Sequence, residues 1–328
     1  MRVLVTGGTG FVGSQLAAAL VGRGDQVRVL RRANSSLLGL EGLSNIEHII
    51  GDILKPEAVA QAVDGCELVF HVAALSSYWR AQREQIYRVN VDGTRTVLEA
   101  CLQARVPRVV VTSSVGAIGI RPDGKLADET TQFDRISASL AYADSKHRAE
   151  AVVARLVKLG LDAVIVNPAV VIGPGDHYQI SGSMIVEFAR RRLPAVPAGG
   201  MCVVDIDAVV RGHIAAAERG RTGERYILGG ENLSHRAIAA TICEVVGQTP
   251  PRWTIPGWAM PPAAAGIDVF NRINPKPPTL SGDQTRLSAA RFFFDSSKAK
   301  RELAYPMLPF RGAVERAYAW YKTHGYIT

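Results

Sequence analysis

Three side chains in the middle of the chain form a group that can move a proton. Ser114 follows a β-branched run, and Tyr142 and Lys146 lie four residues apart in a segment with helical periodicity. On a helix this spacing places both side chains on one face. A phenol with a pKa of about 10 is a poor acid–base catalyst at neutral pH, but a nearby ammonium group favours its phenolate. We therefore expect Lys146 to lower the pKa of Tyr142, and the Ser114 hydroxyl to hydrogen-bond a substrate carbonyl.

A group of glycines near the start of the sequence predicts a dinucleotide site. Gly7, Gly10 and Gly13 lie between a short β-branched run and a segment with helical periodicity. In a strand–turn–helix unit, the first glycine permits the turn, the second lets the backbone approach a pyrophosphate, and the third allows close packing of the helix. The N–H groups at the helix N-terminus favour an anion there. The pattern therefore predicts a bound dinucleotide, and the alternative is an ordinary tight turn.

The end of the second predicted strand indicates which dinucleotide binds. An acidic residue at this position would bind the ribose 2′-hydroxyl of NAD(H), but the strand ends in Leu30-Arg31-Arg32 with no Asp or Glu nearby. Arg31 and Arg32 can instead hold a 2′-phosphate through paired hydrogen bonds. We expect NADP(H) to be preferred, with NAD(H) possible. The alternative is that both arginines form a solvated basic strand end.

The elements that must position these residues alternate between two sequence patterns. Short β-branched runs predict strands at residues 3–6, 27–30, 46–51, 68–72, 109–112 and 164–167. Helical periodicity predicts helices at residues 12–23, 56–63, 86–103 and 140–159. This alternation predicts an α/β fold of Rossmann type, with a doubly wound parallel sheet and a smaller C-terminal substrate-binding lobe. We assign residues 1–167 and 203–222 to the NADP-binding domain, and residues 168–202 and 223–328 to the substrate-binding lobe.

The composition excludes several classes of protein. The 328 residues include 38 Lys or Arg and 30 Asp or Glu, giving a net charge of +8, and 47% are hydrophobic, as in a soluble globular protein. No apolar run approaches the roughly 20 residues that span a bilayer, and no signal-peptide pattern is present, so we expect a cytoplasmic protein. The four cysteines are scattered, which disfavours a disulfide framework or a metal site. The basic residues are too dispersed to predict a nucleic-acid partner.

Together these motifs resemble the extended short-chain dehydrogenase/reductase superfamily, also called the NAD-dependent epimerase/dehydratase family. The resemblance covers essentially the whole chain. The motifs that carry it are Thr6-Gly7-Gly8-Thr9-Gly10-Phe11-Val12-Gly13, Gly51-Asp52-Ile53, His71-Val72-Ala73-Ala74, Asn90-Val91-Asp92-Gly93-Thr94, Thr112-Ser113-Ser114, Tyr142-x-x-x-Lys146 and Gly173-Pro174-Gly175. Residues 167–168, 226–233 and 294–299 resemble most the branch of hopanoid-associated sugar epimerases, dihydroflavonol-4-reductase-like reductases and 3β-hydroxysteroid dehydrogenase-like enzymes.

The resemblance implies a role for each matching residue. It implies catalysis by Ser114, Tyr142 and Lys146, with Lys146 also bonding the nicotinamide ribose and Asn90 supporting the Tyr–Lys pair. It implies that Asp52 and Ile53 flank the adenine, and that Ala73 and Ala74 contact the pyrophosphate and ribose side. The other cofactor-binding residues expected are Gly7, Thr9, Gly10, Phe11, Val12, Gly13, Val72, Thr112, Ser113, Pro168, Ala169 and Val170. Many relatives form homodimers, so a homodimer through residues 86–103 and 140–159 is implied in the same way.

Hydride exchange between NADP(H) and a carbonyl or secondary alcohol of a small apolar substrate is the predicted reaction. Dehydration of a nucleotide sugar is disfavoured, because Val115, Gly116 and Ala117 follow Ser114 where that reaction needs acid–base carboxylates. A sugar epimerase with a retained cofactor needs only the Ser–Tyr–Lys set and stays open. A non-catalytic dinucleotide-binding sensor is the third alternative, although such proteins typically lack the tyrosine or the lysine.

The substrate-binding residues are predicted from their positions in the chain. Ser76, Ser77, Tyr78 and Trp79 follow the fourth strand and are expected to line the pocket, and His177 is a further candidate. In the second lobe, aromatic and apolar residues among prolines either cover an apolar ligand or pack into a small core: Trp253, Trp258, Met260 and Phe270. The run Arg190-Arg191-Arg192 either faces an anionic part of the substrate or forms a solvated helix end.

Overall fold

The computed structural model describes residues 1–77, 82–121, 123–273 and 282–327. The strands in these ranges are β1 (Arg2–Thr6), β2 (Gln26–Arg31), β3 (Ile46–Ile50), β4 (Leu68–His71), β5 (Arg108–Thr112), β6 (Ala163–Pro168), β7 (Val170–Ile172), β8 (Ala195–Pro197), β9 (Gly200–Asp205), β10 (Arg225–Leu228), β11 (Glu231–Ser234), β12 (Trp253–Ile255) and β13 (Arg291–Phe292). The α-helices are α1 (Phe11–Gly22), α2 (Pro56–Val63), α3 (Arg83–Tyr87), α4 (Gly93–Gln103), α5 (Arg135–Ser139), α6 (Ala141–Lys158), α7 (Ser183–Ala189), α8 (Ile206–Arg219), α9 (His235–Val246), α10 (Met260–Ile273), α11 (Gly282–Leu287), α12 (Ser297–Leu303) and α13 (Phe310–Thr323).

The largest sheet contains seven parallel strands in the order β10-β6-β5-β4-β1-β2-β3. Its central strands β4 and β6 are buried along their whole length because both faces of the sheet are covered by helices. The chain winds outward in opposite directions from β1 and β4, so the connections after these two strands open a crevice at one edge of the sheet. This topology confirms the Rossmann-type fold predicted from the sequence.

Alternate residues of each strand supply two separate cores. On β1, Val3 and Val5 pack on the face covered by α1 and α8, whereas Leu4 packs on the face covered by α2 and α4. All three side chains are completely buried. Burial of each such side chain contributes about 1.5–3 kcal/mol, so the sheet is a rigid support for the loops at its edge.

A third core lies in the C-terminal half, between a smaller sheet and the helices α7, α9 and α13. In that sheet β9 pairs with β7, β11 and β13, while β8 and β12 form a separate parallel pair. No helix among the described residues combines the length and the apolar character needed to cross a membrane.

Two short ranges pair with strands that the predicted division into lobes does not indicate. Residues 225–228, assigned to the second lobe, form β10 and pair with β6 in the large sheet. Residues 203–205, assigned to the cofactor domain, belong to β9 in the smaller sheet, and only the following helix α8 packs on α1. Both ranges are short buried apolar strands, so their composition does not distinguish their pairing partners. The division of the whole chain into two lobes stays a prediction.

Candidate active site

The turn after β1 is closed so tightly that only glycine fits at two positions. Gly7 has φ +72°, and a Cβ built on it would lie 2.6 Å from the backbone nitrogen of Ala73. A Cβ on Gly13 would lie 2.2 Å from the carbonyl oxygen of Gly7. The Gly10 N–H donates to the same oxygen at 2.9 Å. The turn therefore holds the start of α1 close to both β1 and the loop after β4.

The N-terminus of α1 carries no counter-charge of its own. Gly10 is its N-cap, no side chain caps it, and its first turn contains no acidic residue. Phe11 is buried in the core and Val12 packs against that core, so their backbone N–H groups, rather than their side chains, are available to a ligand. Thr9 is half-buried beside them. The cradle of glycine backbone and the uncapped helix end both fit a dinucleotide pyrophosphate.

A buried hydrogen-bond relay joins the ends of β1 and β4 behind this turn. Thr94 donates to the carbonyl oxygen of Asn90 at 2.6 Å, so its oxygen accepts from His71 Nε2 at 3.0 Å. Nδ1 of His71 must then accept from the Thr6 hydroxyl at 2.8 Å, and Thr6 in turn accepts from the Ala73 N–H at 3.3 Å. Burial and the charge of the catalytic lysine lower the pKa of His71 to about 3. The imidazole is therefore neutral and fixes the loop that lies against the glycine turn.

The two arginines at the end of β2 lie in different surroundings. Arg31 is half-buried, its Nε donates to His48 Nδ1 at 3.2 Å, and its Nη1 donates to the carbonyl oxygen of Arg32 at 3.3 Å. Burial and the nearby Arg31 guanidinium lower the pKa of His48. Arg32 is exposed beyond the strand, in a turn closed by the Ser35 N–H. Arg31 is thus held over β3, and Arg32 is free to turn towards a ligand at the sheet edge.

The predicted adenine-flanking pair lies in the loop after β3. Asp52 Oδ1 accepts from the Leu54 N–H at 2.9 Å, so this carboxylate stabilises the loop. It does not cap α2, whose N-cap residue is Lys55. Ile53 packs over Gly93 at the start of α4, where an added Cβ would lie 2.6 Å from its Cδ1. Both residues are half-buried at the same edge as the glycine turn.

The predicted catalytic side chains come together at the start of α6. Tyr142 lies in the first turn of this helix, and its pKa is raised by burial and lowered less strongly by hydrogen bonds with the side chains of Ser114 and Ser76. Ser114 follows β5 and also accepts the Gly116 N–H at 3.1 Å. The net pKa shift of Tyr142 in this structure is upward because burial outweighs the hydroxyl contacts, and the expected lowering by Lys146 beside an oxidised nicotinamide stays a prediction.

Lys146 lies one turn further along α6 than Tyr142, and it is buried. Its Nζ donates to the carbonyl oxygen of Thr112 at 2.8 Å. Burial lowers the pKa of Lys146 to about 8, and the carboxylate of Glu150 opposes that effect. The amine is therefore tied to the end of β5 and is close to losing its proton at mildly alkaline pH.

Glu150, which the sequence interpretation missed, links four side chains behind the site. It lies one further turn along α6, and its side chain is only 9% exposed. Its Oε1 accepts from Ser113 Oγ at 2.5 Å and from Asn167 Nδ2 at 2.7 Å. Its Oε2 forms an ion pair with Arg225 at 3.1 Å, and its charge raises the pKa of Lys146. The spacing of Tyr142, Lys146 and Glu150 at successive helical turns is the signal that could have identified it.

Asn90 fixes the loop that carries Ser76. It lies in a π-helical turn, Arg88–Asp92, between α3 and α4, and is 1% exposed. Its Oδ1 accepts from the Leu75 N–H at 2.7 Å, and its Nδ2 donates to Ser145 Oγ at 2.9 Å. Ser145 in turn donates to the carbonyl oxygen of Tyr142 at 2.7 Å. The structure therefore joins Asn90 to the catalytic helix, and π-helical turns often occur at functional sites.

The end of β6 contributes a buried acceptor with no described partner. Asn167 Nδ2 donates to Glu150 and to the carbonyl oxygen of Ser114, which fixes the orientation of the amide. Its Oδ1 is buried without a hydrogen-bond partner among the described residues. Pro168 ends β6, and Ala169 and Val170 continue towards β7 along the same edge. An unpaired buried oxygen is costly, so a ligand amide fits this position.

The predicted substrate residues are only partly brought together. Ser76 lies against Tyr142, as described above, and Ser77 is half-buried beside it. Tyr78 and Trp79 lie outside the described residues. The structure therefore brings one predicted pocket residue into contact with the catalytic phenol.

His177 lies elsewhere, beside the turn that follows β2. A Cβ built on Gly39 in that turn would lie 3.6 Å from His177 Cε1. His177 Nδ1 lies 3.2 Å from the carbonyl oxygen of Gly175, and its Nε2 is buried without a partner among the described residues. These contacts associate His177 with the cofactor side of the crevice.

The aromatic and apolar residues that the sequence singled out in the second lobe differ in their exposure to solvent. Met260 is buried, whereas Trp253, Trp258 and Phe270 are exposed by 74%, 80% and 59%. The prediction that these residues pack into a small core is therefore confirmed for Met260 and wrong for the three aromatic residues. The sequence of a short element does not show which of its sides faces solvent.

Comparison with known proteins decides the family. Residues 4–219 match the model of the 3-beta hydroxysteroid dehydrogenase/isomerase family. The chain belongs to this family. It is 39% identical to "Putative dihydroflavonol 4-reductase" of Synechocystis sp., over 98% of this chain and 95% of that protein. It is also 34% identical to sterol demethylase protein B of Methylococcus capsulatus, over the full length of both.

Solved structures agree with this membership of the 3-beta hydroxysteroid dehydrogenase/isomerase family. The crystal structure of gox2253 superposes with a TM-score of 0.88 and 38% identity, covering 100% of this chain and 99% of that one. The resemblance to the extended dehydrogenase/reductase superfamily is thus confirmed. This member of the 3-beta hydroxysteroid dehydrogenase/isomerase family is an NAD(P)-dependent oxidoreductase.

Proposed function

We propose that this family member transfers a hydride between NADP(H) and a carbonyl or secondary alcohol of a small apolar substrate. The observation that carries the proposal is the contact of Tyr142 with Ser114 and Ser76 at the edge of the sheet, with Lys146 buried one helical turn further along. Two hydroxyl groups beside a half-buried phenol suit recognition of one oxygen atom that gains or loses a proton.

The residues of the site divide the chemistry among them. The nicotinamide, when bound, supplies or accepts the hydride. Tyr142 donates its proton to the substrate oxygen during reduction, and Ser114 stabilises the negative charge that develops there. A phenol with its ordinary pKa of about 10 is already protonated at neutral pH, and burial raises the pKa of Tyr142 further, so the proton needed for reduction is present. When a dinucleotide is bound, Lys146 would hold the nicotinamide ribose and the glycine turn would hold the pyrophosphate.

The proposed substrate class rests on the site and on one relative. The residues following Ser114 are Val115, Gly116 and Ala117, which offer no carboxylate for elimination of water. A relative of similar length is named sterol demethylase protein B, which supports an apolar substrate. Epimerisation of a sugar is compatible with the same catalytic side chains, and the experiment below separates the two reactions.

The proposed preference for NADP(H) rests on the end of β2. Arg32 is exposed there, Arg31 lies behind it, and residues 30–36 include no carboxylate to bind a 2′-hydroxyl. A planar guanidinium group pairs well with a phosphate.

We also propose a cytoplasmic homodimer. Helices α4 and α6 pack side by side, and Arg148, Ala151 and Ala154 are exposed on α6. Light scattering should give about twice the 35.3 kDa mass of one chain. Ala151→Arg should lower the measured mass towards that of one chain. A mass of 35.3 kDa for the parent protein itself would exclude this contact.

The test is oxidation of NADPH in the presence of a panel of apolar ketones and of nucleotide sugars. We expect consumption of NADPH with a ketone, and Tyr142→Phe should bind NADPH normally while turnover falls by at least about a hundredfold, the usual contribution of a general acid. Interconversion of sugars without net NADPH consumption would replace this proposal with an epimerase. Unchanged turnover in Tyr142→Phe would exclude the mechanism.

A further inference from the structure

Among its described side chains, those of residues 260–271, helix α10 turns an uncharged, apolar face to solvent. Its inward positions are Met260 and Ala264, both buried, followed by partly buried Ile267, Asp268 and Asn271 one and two turns later. A surface helix ordinarily carries charged residues on its outward face. The exposed positions of α10 are instead Pro261, Pro262, Ala263, Ala265, Gly266, Val269 and Phe270.

Two exposed tryptophans lie in the short elements that precede α10. Trp258 lies in the turn Gly257–Ala259, which leads directly into α10, and Trp253 begins the strand β12 just before that turn. Their side chains are 80% and 74% exposed, against 59% for Phe270. Large aromatic side chains that are exposed in three successive elements mark this part of the chain as a candidate binding region. Tryptophan in particular is enriched where protein meets the headgroup region of a membrane.

A cluster of arginines lies at the end of β12 where Trp253 begins the strand. Because β12 pairs in parallel with β8, with Trp253 opposite Ala195, the residues that precede the two strands lie at the same end. Arg252 precedes β12, and Arg190-Arg191-Arg192 precede β8; all four are exposed. Arg191 Nε also donates to Gln248 Oε1 at 2.5 Å, which ties the two segments together. Within these segments the described ion pair is Arg192 with Glu187, at 3.4 Å, so positive charge is in excess.

We propose that α10, Trp253 and Trp258 form a docking face for an anionic lipid surface, with the four arginines beside the headgroups. The aromatic and apolar side chains enter the boundary between headgroups and acyl chains, as those of interfacial amphipathic helices do. The arginines supply the electrostatic attraction to anionic headgroups. A second copy of this chain fits less well, because a symmetric contact between two such faces brings the two arginine clusters together.

The test is co-sedimentation of the full-length protein with vesicles of phosphatidylcholine, with and without phosphatidylglycerol. We expect binding to the anionic vesicles, weakening with added salt, and a blue shift of tryptophan emission on binding. Trp258→Gln combined with Phe270→Gln should weaken binding at least about tenfold, because two large apolar side chains no longer enter the bilayer. Leu159→Gln, at a 65% exposed leucine after α6, is the matched control and should bind like the parent protein.

A second pair of variants tests the charged part of the face. Arg192→Gln combined with Arg252→Gln should reduce binding to anionic vesicles, whereas Arg301→Gln, at an exposed arginine of α12, should not. The midpoint of thermal unfolding confirms that each variant folds. Absence of vesicle binding by the parent protein overturns the proposal. So does a dimer that Trp258→Gln dissociates without any vesicle binding, or a tryptophan emission shift that NADPH alone produces and vesicles do not.

Discussion

At the scale of single residues, the electrostatics of the site depend on Glu150. Its carboxylate is nearly buried, yet it pairs with Arg225 and accepts hydrogen bonds from Ser113 and Asn167. The same charge opposes the effect of burial on Lys146, whose pKa is about 8. We therefore propose that Glu150 is a positioning residue, which raises the pKa of Lys146 and holds the strand ends beside Ser114.

Replacing Glu150 should change the pH dependence of the site. Glu150→Gln removes the charge that raises the pKa of Lys146, so this pKa should fall further and the loss of NADPH affinity at alkaline pH should begin at lower pH. Glu150→Asp keeps the charge and should restore most of the profile. Fluorescence titration with NADPH from neutral to alkaline pH measures both. Glu99→Gln, at an exposed position of α4, is the control, and an unmoved profile in Glu150→Gln would refute the role.

The two arginines after β2 should contribute unequally to cofactor choice. The Arg31 guanidinium already donates to His48. The exposed Arg32 guanidinium has no such contact among the described residues, so it is available to a ligand. Arg32→Ala should weaken NADPH binding by about 1.5–3 kcal/mol, or roughly ten- to a hundredfold, and leave NADH binding nearly unchanged. Arg31→Ala should have the smaller effect. Titration with both cofactors measures the ratio, and equal losses for NADPH and NADH would argue against a 2′-phosphate site.

At the scale of elements, the first strand, turn and helix act as one unit. The start of α1 approaches β1 so closely that the carbonyl oxygen of Gly7 occupies the space of a side chain at Gly13. The opposite end of the same helix is open, since nothing lies within 4 Å of a Cβ built on Gly22. One helix thus contains one glycine that is required and one that is replaceable.

Alanine at these two glycines should have opposite effects. Gly13→Ala must push the helix away from the turn, so we expect loss of NADPH binding and a lower free energy of unfolding. Gly22→Ala should leave NADPH binding intact and stabilise the protein by about 0.5–1 kcal/mol, because alanine loses less backbone entropy in a helix. Urea denaturation and cofactor titration test both variants. Normal NADPH binding by Gly13→Ala would contradict the close-packed turn.

At the scale of the whole molecule, two buried histidines connect the large sheet to the helices on its two faces. His71 joins β1 and β4 to α4, and His213 of α8 accepts from Thr112 at the end of β5 while donating to the Val209 carbonyl. Burial lowers the pKa of His71 to about 3 and that of His213 to about 4, from an ordinary value of 6.5. Both side chains are neutral in the folded protein.

These histidines should make the protein sensitive to acid. Their folded pKa values lie below the unfolded value, so the unfolded chain binds more protons between about pH 4 and 6.5 and stability falls as the pH decreases. For His213 alone the loss should reach about 3 kcal/mol. Urea denaturation across this pH range measures it. His213→Gln should flatten the dependence, exposed His324→Gln should not, and equal slopes in all three proteins would refute the account.

The sequence by itself determined the fold class, the glycine turn and the Ser–Tyr–Lys set. These features depend on local properties: the alternation of apolar runs, the conformational freedom of glycine at Gly7, and the helical spacing of Tyr142 and Lys146. Six strands of the large sheet followed from the same local patterns, and only their ends moved by a residue or so.

Only the tertiary structure decided which distant groups meet. The pairing of β10 with β6, the contact of Ser76 with Tyr142, and the partners of Glu150 all join residues far apart in the chain, and no local pattern encodes such contacts. The upward pKa shift of Tyr142 and the exposure of Trp253 and Trp258 likewise depend on burial. Burial depends on the residues that surround a side chain in the folded protein. The pKa of Tyr142 and the exposure of the two tryptophans therefore follow from the tertiary structure and not from local sequence.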